Sequence, residues 1–148
     1  MDALILPALE REGRDAIRLL VDARHFSPLL DLALVVTCDR ARINTFTVFP
    51  YEEIVEGVIS YLCGGRSAED DWAWDIAWGL SGLSDEEHWR LVMEVIRRCP
   101  WDDDALWMIG DGPIGQLQMQ RDGTRRIDEL AREDPKLARI LRLVQEIP

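Results

Sequence analysis

A chain of 148 residues, 47% apolar and 30% charged, is long enough for one globular domain with a self-sufficient core, and this composition excludes wholesale disorder. Its 28 carboxylates against 17 basic residues leave a net charge of −11, which disfavours direct binding to DNA or RNA because phosphates would be repelled. No stretch of about 20 apolar residues occurs, so no membrane-spanning helix is expected.

The first residues, Met1-Asp2-Ala3-Leu4-Ile5-Leu6-Pro7, place an acid where a signal peptide carries positive charge, and their apolar run is too short for a hydrophobic signal core. Cys38, Cys63 and Cys99 stand singly and make an odd count, without Cys-x-x-Cys spacing. A cytoplasmic protein with reduced, packed thiols is the expectation, with neither disulfide nor zinc. Lys136 is the single lysine, an arginine bias of the kind a GC-rich genome produces.

Taken in chain order, residues 10–24 place Ala16, Ile17, Leu20 and Val21 at three-and-four spacing, the pattern of an amphipathic helix. His25-Phe26-Ser27-Pro28 reads as a break and a new helix start, with Ser27 as N-cap. Residues 34–49 are ambiguous. Their β-branched and aromatic content fits a small β-hairpin, whereas a second helix running to about Cys38, followed by an extended connector, fits equally well. Pro50 restarts helix, with Glu52, Glu53 and Glu56 in its first turns and Ile54, Val55, Val58 and Leu62 on its apolar stripe, and Gly64-Gly65 stops it.

Residues 69–107 hold all six tryptophans, Trp72, Trp74, Trp78, Trp89, Trp101 and Trp107. Eleven carboxylates and three arginines between Glu69 and Asp104 give that stretch −8 of the total charge. Its first helix is apolar around most of its circumference, with Trp72, Ile76, Leu80 and Leu83 on one stripe and Trp74, Ala77 and Trp78 on another, and so belongs in the middle of the molecule. Ser84-Asp85-Glu86-Glu87 is a capping box that opens a helix ending at Pro100. Asp102-Asp103-Asp104 caps a short helix, Gly110-Asp111-Gly112-Pro113 ends it and starts another carrying Ile114, Leu117 and Met119 inward, Asp122-Gly123-Thr124 breaks again, and Asp134-Pro135 caps a last helix. That last helix buries Leu137, Ile140, Leu141 and Val144 and leaves Lys136, Arg139 and Arg142 in water. The expected fold is therefore mostly all-α within a single domain spanning 1–148. Its short antiparallel helices would form an irregular bundle or a helical-repeat-like array, with the possible hairpin at 34–49.

Nothing in the spacing supports catalysis by nucleophile and base, phosphate binding by a glycine loop, or a bound cofactor. Asp85-x-x-His88 puts a carboxylate and an imidazole one helical turn apart, but a single such pair reads as a solvated helix start rather than a metal site. Asp75, set among Trp72, Trp74 and Trp78, is the charge whose burial is in question; a seam position paired with a C-terminal arginine is expected. Most tryptophans belong to the core, and Trp101, beside the Asp triplet, is the candidate for the surface. The arginines after Gln118 are expected to pair internally.

From Asp71 to Val144 the chain resembles a bacterial family of small helical proteins of unknown function. The resemblance rests on Trp107, Gly112-Pro113-Ile114, Leu117, Gly123, Ile127 and Asp134-Pro135-Lys136-Leu137. This sequence departs from the family's Gly-Pro-Leu-Glu-type turn at Gly115, where an acidic residue is expected. The resemblance implies a fold. By type, a small acidic helical chain without catalytic motifs is also similar to immunity proteins and antitoxins.

These readings converge on a non-enzymatic binding protein, a monomer or weak homodimer without cofactor or metal. Its acidic face, formed by Glu69, Asp70, Asp71, Asp85, Glu86, Glu87, Trp101, Asp102, Asp103 and Asp104, would cover a basic protein such as a toxin. The competing expectation is a helical adaptor or assembly subunit with an apolar contact. An enzyme would need a pocket gathering Asp75, His88 and an arginine.

Overall fold

The computed structural model describes residues 14–24, 28–80 and 82–146. The fold is all-α, and no strand occurs among the described residues. The helices are α1 (Arg14–Ala23), α2 (Pro28–Ala41), α3 (Tyr51–Cys63), α4 (Asp71–Ala77), α5 (Asp85–Arg98), α6 (Asp103–Ile109), α7 (Gly115–Gln118), α8 (Gly123–Ala131) and α9 (Pro135–Gln145). The readings made for Met1 to Pro7, for the start of the helix expected over 10–24 and for the Ser27 cap lie outside the described residues.

The 34–49 hairpin does not form. Helix α2 runs on to Ala41, and a 3-10 turn at Thr45–Thr47, capped by the Asn44 side chain, returns the chain to α3. Leu34, Val35 and Cys38 fall on one buried face of α2, and the Thr37 hydroxyl, buried beside them, donates to the Ala33 carbonyl at 2.7 Å. Burial of that stripe and an internal partner for the hydroxyl outweigh the β propensity of Val35, Val36 and Thr37.

Helix α4 is shorter than its apolar pattern: it ends at Ala77, because Gly79 and Gly82 take positive φ values of +92° and +59°. Leu80 is left 51% exposed instead of joining the stripe. A second departure concerns the Gly-Asp-Gly-Pro turn. Gly110–Ile114 continues α6 as one wide π turn into α7, with Pro113 inside it, so no break separates the two helices. Gly112 lies flat against Trp78, where a Cβ would stand 2.6 Å from the indole.

Helix α3 holds the centre, touching α4, α5 and α6, while α9 packs on α6, α8 and the π turn and α1 packs on α2. The contact of α3 with α4 is close enough that a Cβ on Gly57 would come 2.7 Å from the Cβ of Ala73. Beside it Trp72 stacks on Phe49 with ring centroids 4.5 Å apart, and the Arg24 guanidinium lies 4.5 Å from the centroid of the Phe49 ring. Arg24 is anchored there by Asp31 at 3.0 Å and by Glu53. Tyr61 stacks on Trp74 at 5.2 Å on the same helix pair. One buried cluster extends from Ile17 in α1 to Ile140 in α9.

Lys136, expected in water, is buried. Its ammonium donates to the carbonyl of Cys99, the C-cap of α5, and lies 5.9 Å from the centroid of the Trp101 ring. A helix C-terminus leaves carbonyls without intrahelical partners and carries partial negative charge, so it draws a cation inward. The compact ammonium suits such a burrow better than a planar guanidinium would. Met119 is also reversed from its expected inward position, being 81% exposed.

Gly57→Ala will drive α3 and α4 apart and cost about 1–3 kcal/mol, whereas Gly115→Ala, a helical site with nothing within 4 Å of the new Cβ, will stabilise by about 0.4–1 kcal/mol. Urea unfolding of the two variants checks both signs.

Candidate functional site

The ten residues expected to form one acidic face occupy three helix starts. Glu69 is exposed, Asp70 accepts a hydrogen bond from the Ser60 hydroxyl at 2.7 Å, and Asp71 sits in the first turn of α4. Asp85, Glu86 and Glu87 form the first turn of α5, and Trp101 to Asp104 lie just beyond its far end. Fourteen residues of helix separate those two groups by about 20 Å. They do not form a single cluster.

Several of these carboxylates also have work inside the molecule. Ser84 and Glu87 complete the capping box, the Ser84 hydroxyl accepting from the Glu87 amide at 3.2 Å and the Glu87 carboxylate from the Ser84 amide at 3.2 Å. Glu87 also accepts from the Asn44 amide, and this bond leads the effects that hold its carboxyl below the ordinary range. Glu86 pairs at 2.6 Å with Arg126, whose guanidinium lies 3.8 Å from the centroid of the Trp89 ring. Asp102 caps α6 by accepting from the Ala105 amide at 2.9 Å. Asp103 pairs with Arg139 at 2.7 Å, which lowers its pKa. Of the C-terminal arginines expected to pair internally, Arg125, Arg126 and Arg139 do so, whereas Arg121, Arg132 and Arg142 make no ion pair among the described residues.

Asp85 and Asp104 are exposed and make no ion pair among the described residues, and the same holds for Glu69. Asp75 is half-buried on the seam and likewise makes no ion pair among the described residues, so the expected arginine is absent there. Burial, then the neighbouring Asp71, raise its pKa.

Trp101 is 65% exposed, as expected of the surface candidate, while Trp72, Trp74 and Trp89 are buried. It follows Pro100 at the corner between α5 and α6, flanked by Asp102 and by the buried ammonium of Lys136.

His88 is not part of a solvated helix start: it is only 6% exposed. Its Nε2–H donates to the Ala77 carbonyl at 2.6 Å, at the end of α4 where carbonyls lack intrahelical partners. That bond fixes the neutral tautomer and leaves Nδ1 as an acceptor. Burial depresses the His88 pKa, against smaller opposing effects of the Ala77 bond and Asp85. Gly79 lies over the ring, where a Cβ would stand 3.3 Å from Cε1.

The ring lines an open cleft of about 370 Å³ together with Asp85, its i−3 neighbour. Helix α7 and the turn after it supply Gln116, Gln120 and Arg121. Leu83 and the exposed Met119 are its apolar flanks. Asp75 is not among the lining residues. Sequence reasoning missed this cleft because its two sides lie 28 or more residues apart in the chain, and neither Gln116 nor Gln120 carries a local signal. Among the described residues no group of three or more His, Cys, Asp and Glu side chains is placed to hold a metal ion. No helix among the described residues is long and apolar enough to cross a membrane.

Comparison with protein-family models, with curated proteins and with solved structures returns no match to this chain.

Because the folded pKa of His88 lies below its unfolded value near 6.5, the unfolded state takes up the proton first on acidification. Stability is then complete above about pH 6.5 and falls as the pH drops toward the folded pKa, with a slope of at most about 1.4 kcal/mol per pH unit. His88→Gln is expected to flatten the difference between pH 7 and pH 5, as read by denaturant titrations of the two proteins at each pH.

Proposed function

We propose that this chain is a non-enzymatic protein-binding module of the immunity-protein or antitoxin type, which meets a basic partner through Trp101 and the carboxylates that follow it. The observation that carries the reading is Trp101, 65% exposed at a corner formed with Asp102, Asp103 and Asp104 in a protein of net charge −11. An indole on the surface is the kind of anchor that dominates an interface when a partner desolvates it. Carboxylates around such an anchor accelerate encounter with a basic surface and reject acidic ones. Asp102 and Asp103 are held in place by the α6 cap and by Arg139, so this corner is preorganised, and Asp104 adds a charge without an ion pair among the described residues. Glu69 to Asp71 and Asp85 to Glu87 contribute long-range attraction in this reading, from other parts of the surface.

The same reading places the protein in the cytoplasm, where Cys38, Cys63 and Cys99 persist as free thiols. A second reading, a homo-oligomeric adaptor with an apolar contact, draws on Leu19 and Leu29, which are 70% and 63% exposed on α1 and α2.

Capture of partners from the host lysate at about 0.05 M and about 0.5 M salt tests the first reading. The expected result is one basic protein whose association slows at least about tenfold at the higher salt, and whose affinity falls at least about thirtyfold with Trp101→Ala. Asp104→Asn is expected to slow association and leave dissociation nearly unchanged. Retention of that protein by Trp101→Ala with unaltered affinity contradicts the assignment of the corner. A salt-insensitive homodimer in light scattering, dispersed by Leu29→Ser, favours the second reading.

A further inference from the structure

The cleft over His88 lies at the opposite end of α5 from Trp101, and the proposed partner contact does not use it. Three observations there point to a ligand. The first is His88 Nδ1. The ring is more than nine-tenths buried, Nε2 is committed to the Ala77 carbonyl, and Nδ1 has no hydrogen-bond partner among the described residues. Nδ1 is not among the enclosed, unpartnered polar atoms of the described residues, so it is not sealed from solvent, and the ring lines the cleft. A buried acceptor held in one tautomer and open on one side is a recognition group.

The second observation concerns charge. Asp85 and Arg121 line the same cleft with opposite signs, yet they form no ion pair with each other or with any other described residue. They are therefore separated by more than contact distance, with room between them. The third is the character of the walls. Gln116 and Gln120 bring amide donors and acceptors, Gln120 Nε2 reaching across to the Asp85 backbone carbonyl at 3.5 Å, while Leu83 and Met119 give an apolar flank. A space of about 370 Å³ is at the small end of ligand sites.

We propose that the cleft binds a small zwitterion of the free α-amino-acid type with an apolar side chain. The ammonium donates to His88 Nδ1 and to the Asp85 carboxylate, the carboxylate accepts from Arg121, and the side chain lies against Leu83 and Met119. A simple cation would leave Arg121 unmatched and facing like charge, and a simple anion would do the same to Asp85. Only a ligand bearing both charges matches both groups together with the acceptor nitrogen.

The test is a titration of the full chain, with histidine rings labelled in nitrogen-15, by L-leucine, L-methionine, N-acetyl-L-leucine and L-leucinamide. Saturable movement of the His88 Nδ1 resonance is expected with the two free amino acids. Affinity should fall at least about tenfold when the ammonium is acetylated or the carboxylate amidated. Asp85→Asn should narrow the gap between leucine and its acetyl derivative, and Arg121→Gln the gap between leucine and its amide. Both side chains are exposed, so neither change threatens the fold, which circular dichroism verifies. Equal binding of leucinamide and leucine would reduce the cleft to a cation site and overturn the proposal. Equal binding of N-acetyl-leucine and leucine, or no saturable movement with either free amino acid at about 50 mM, weaker than any functional small-molecule site, would also overturn it. Any of these outcomes leaves the Trp101 contact standing.

Discussion

The approach of α3 to α4 at Gly57 and Ala73 is the constraint on which the other elements depend. With no side chain at Gly57, the two helices come close enough for Trp72 to lie over the glycine and stack on Phe49 at the end of the connector. That stack in turn receives the Arg24 guanidinium, which ties α1 to α2 through Asp31 and to α3 through Glu53. A cation held against aromatic faces and between two carboxylates is largely removed from water without being left unpaired. Most of the N-terminal half is thus referred to one helix contact. The short helix α4 keeps its place in the interior because Phe49 of the connector and Tyr61 of α3 each stack a ring on one of its tryptophans.

Much of the acidity that dominates the sequence is spent locally. Helix starts need acceptors for their first amides and favour negative charge, and Ser84, Asp102 and Asp134 meet the first need. Arginines from α5, α8 and α9 then neutralise Glu94, Glu86 and Asp103. Arg97 and Arg98 hold the Glu94 carboxyl down to about 2, so it stays charged through any physiological acidification. Asp85 and Asp104, two of the carboxylates without an ion pair among the described residues, stand at opposite ends of α5. A long acidic run in sequence is therefore divided among three helix starts, one of them beside an exposed indole and one beside a buried imidazole.

The sequence made the helix boundaries legible wherever a cap or a glycine pair set them. Ser84 with Glu87, Asp102, Asp134, and Gly64-Gly65 each mark an observed end, because the chemistry involved is confined to one turn. Where local preference conflicts with burial, the residues alone left the answer open, as along Val35 to Cys38, where the stripe of α2 won. The wide turn at Gly110–Ile114 was hidden because glycine and proline there signal a break, and only packing against Trp78 and α9 makes continuation favourable. The exposed Trp101 could be anticipated from its polar neighbours. The burial of His88 and Lys136 could not, since each goes to a carbonyl at the end of a helix distant in the chain.

The wide turn fixes the rotational phase of everything after it. Each added residue advances an α-helix by about 100°, so the extra residue accommodated between Ile109 and Gly115 decides which side of α7 faces inward. With it, Leu117 is fully buried while Gln116 and Gln120 look into the cleft. Were the segment one residue shorter and regular, the same side chains would arrive a quarter-turn or more out of place, with leucine meeting solvent and the amides turned from His88. The polarity of that cleft is thus a matter of length in a stretch of chain that contributes none of its walls.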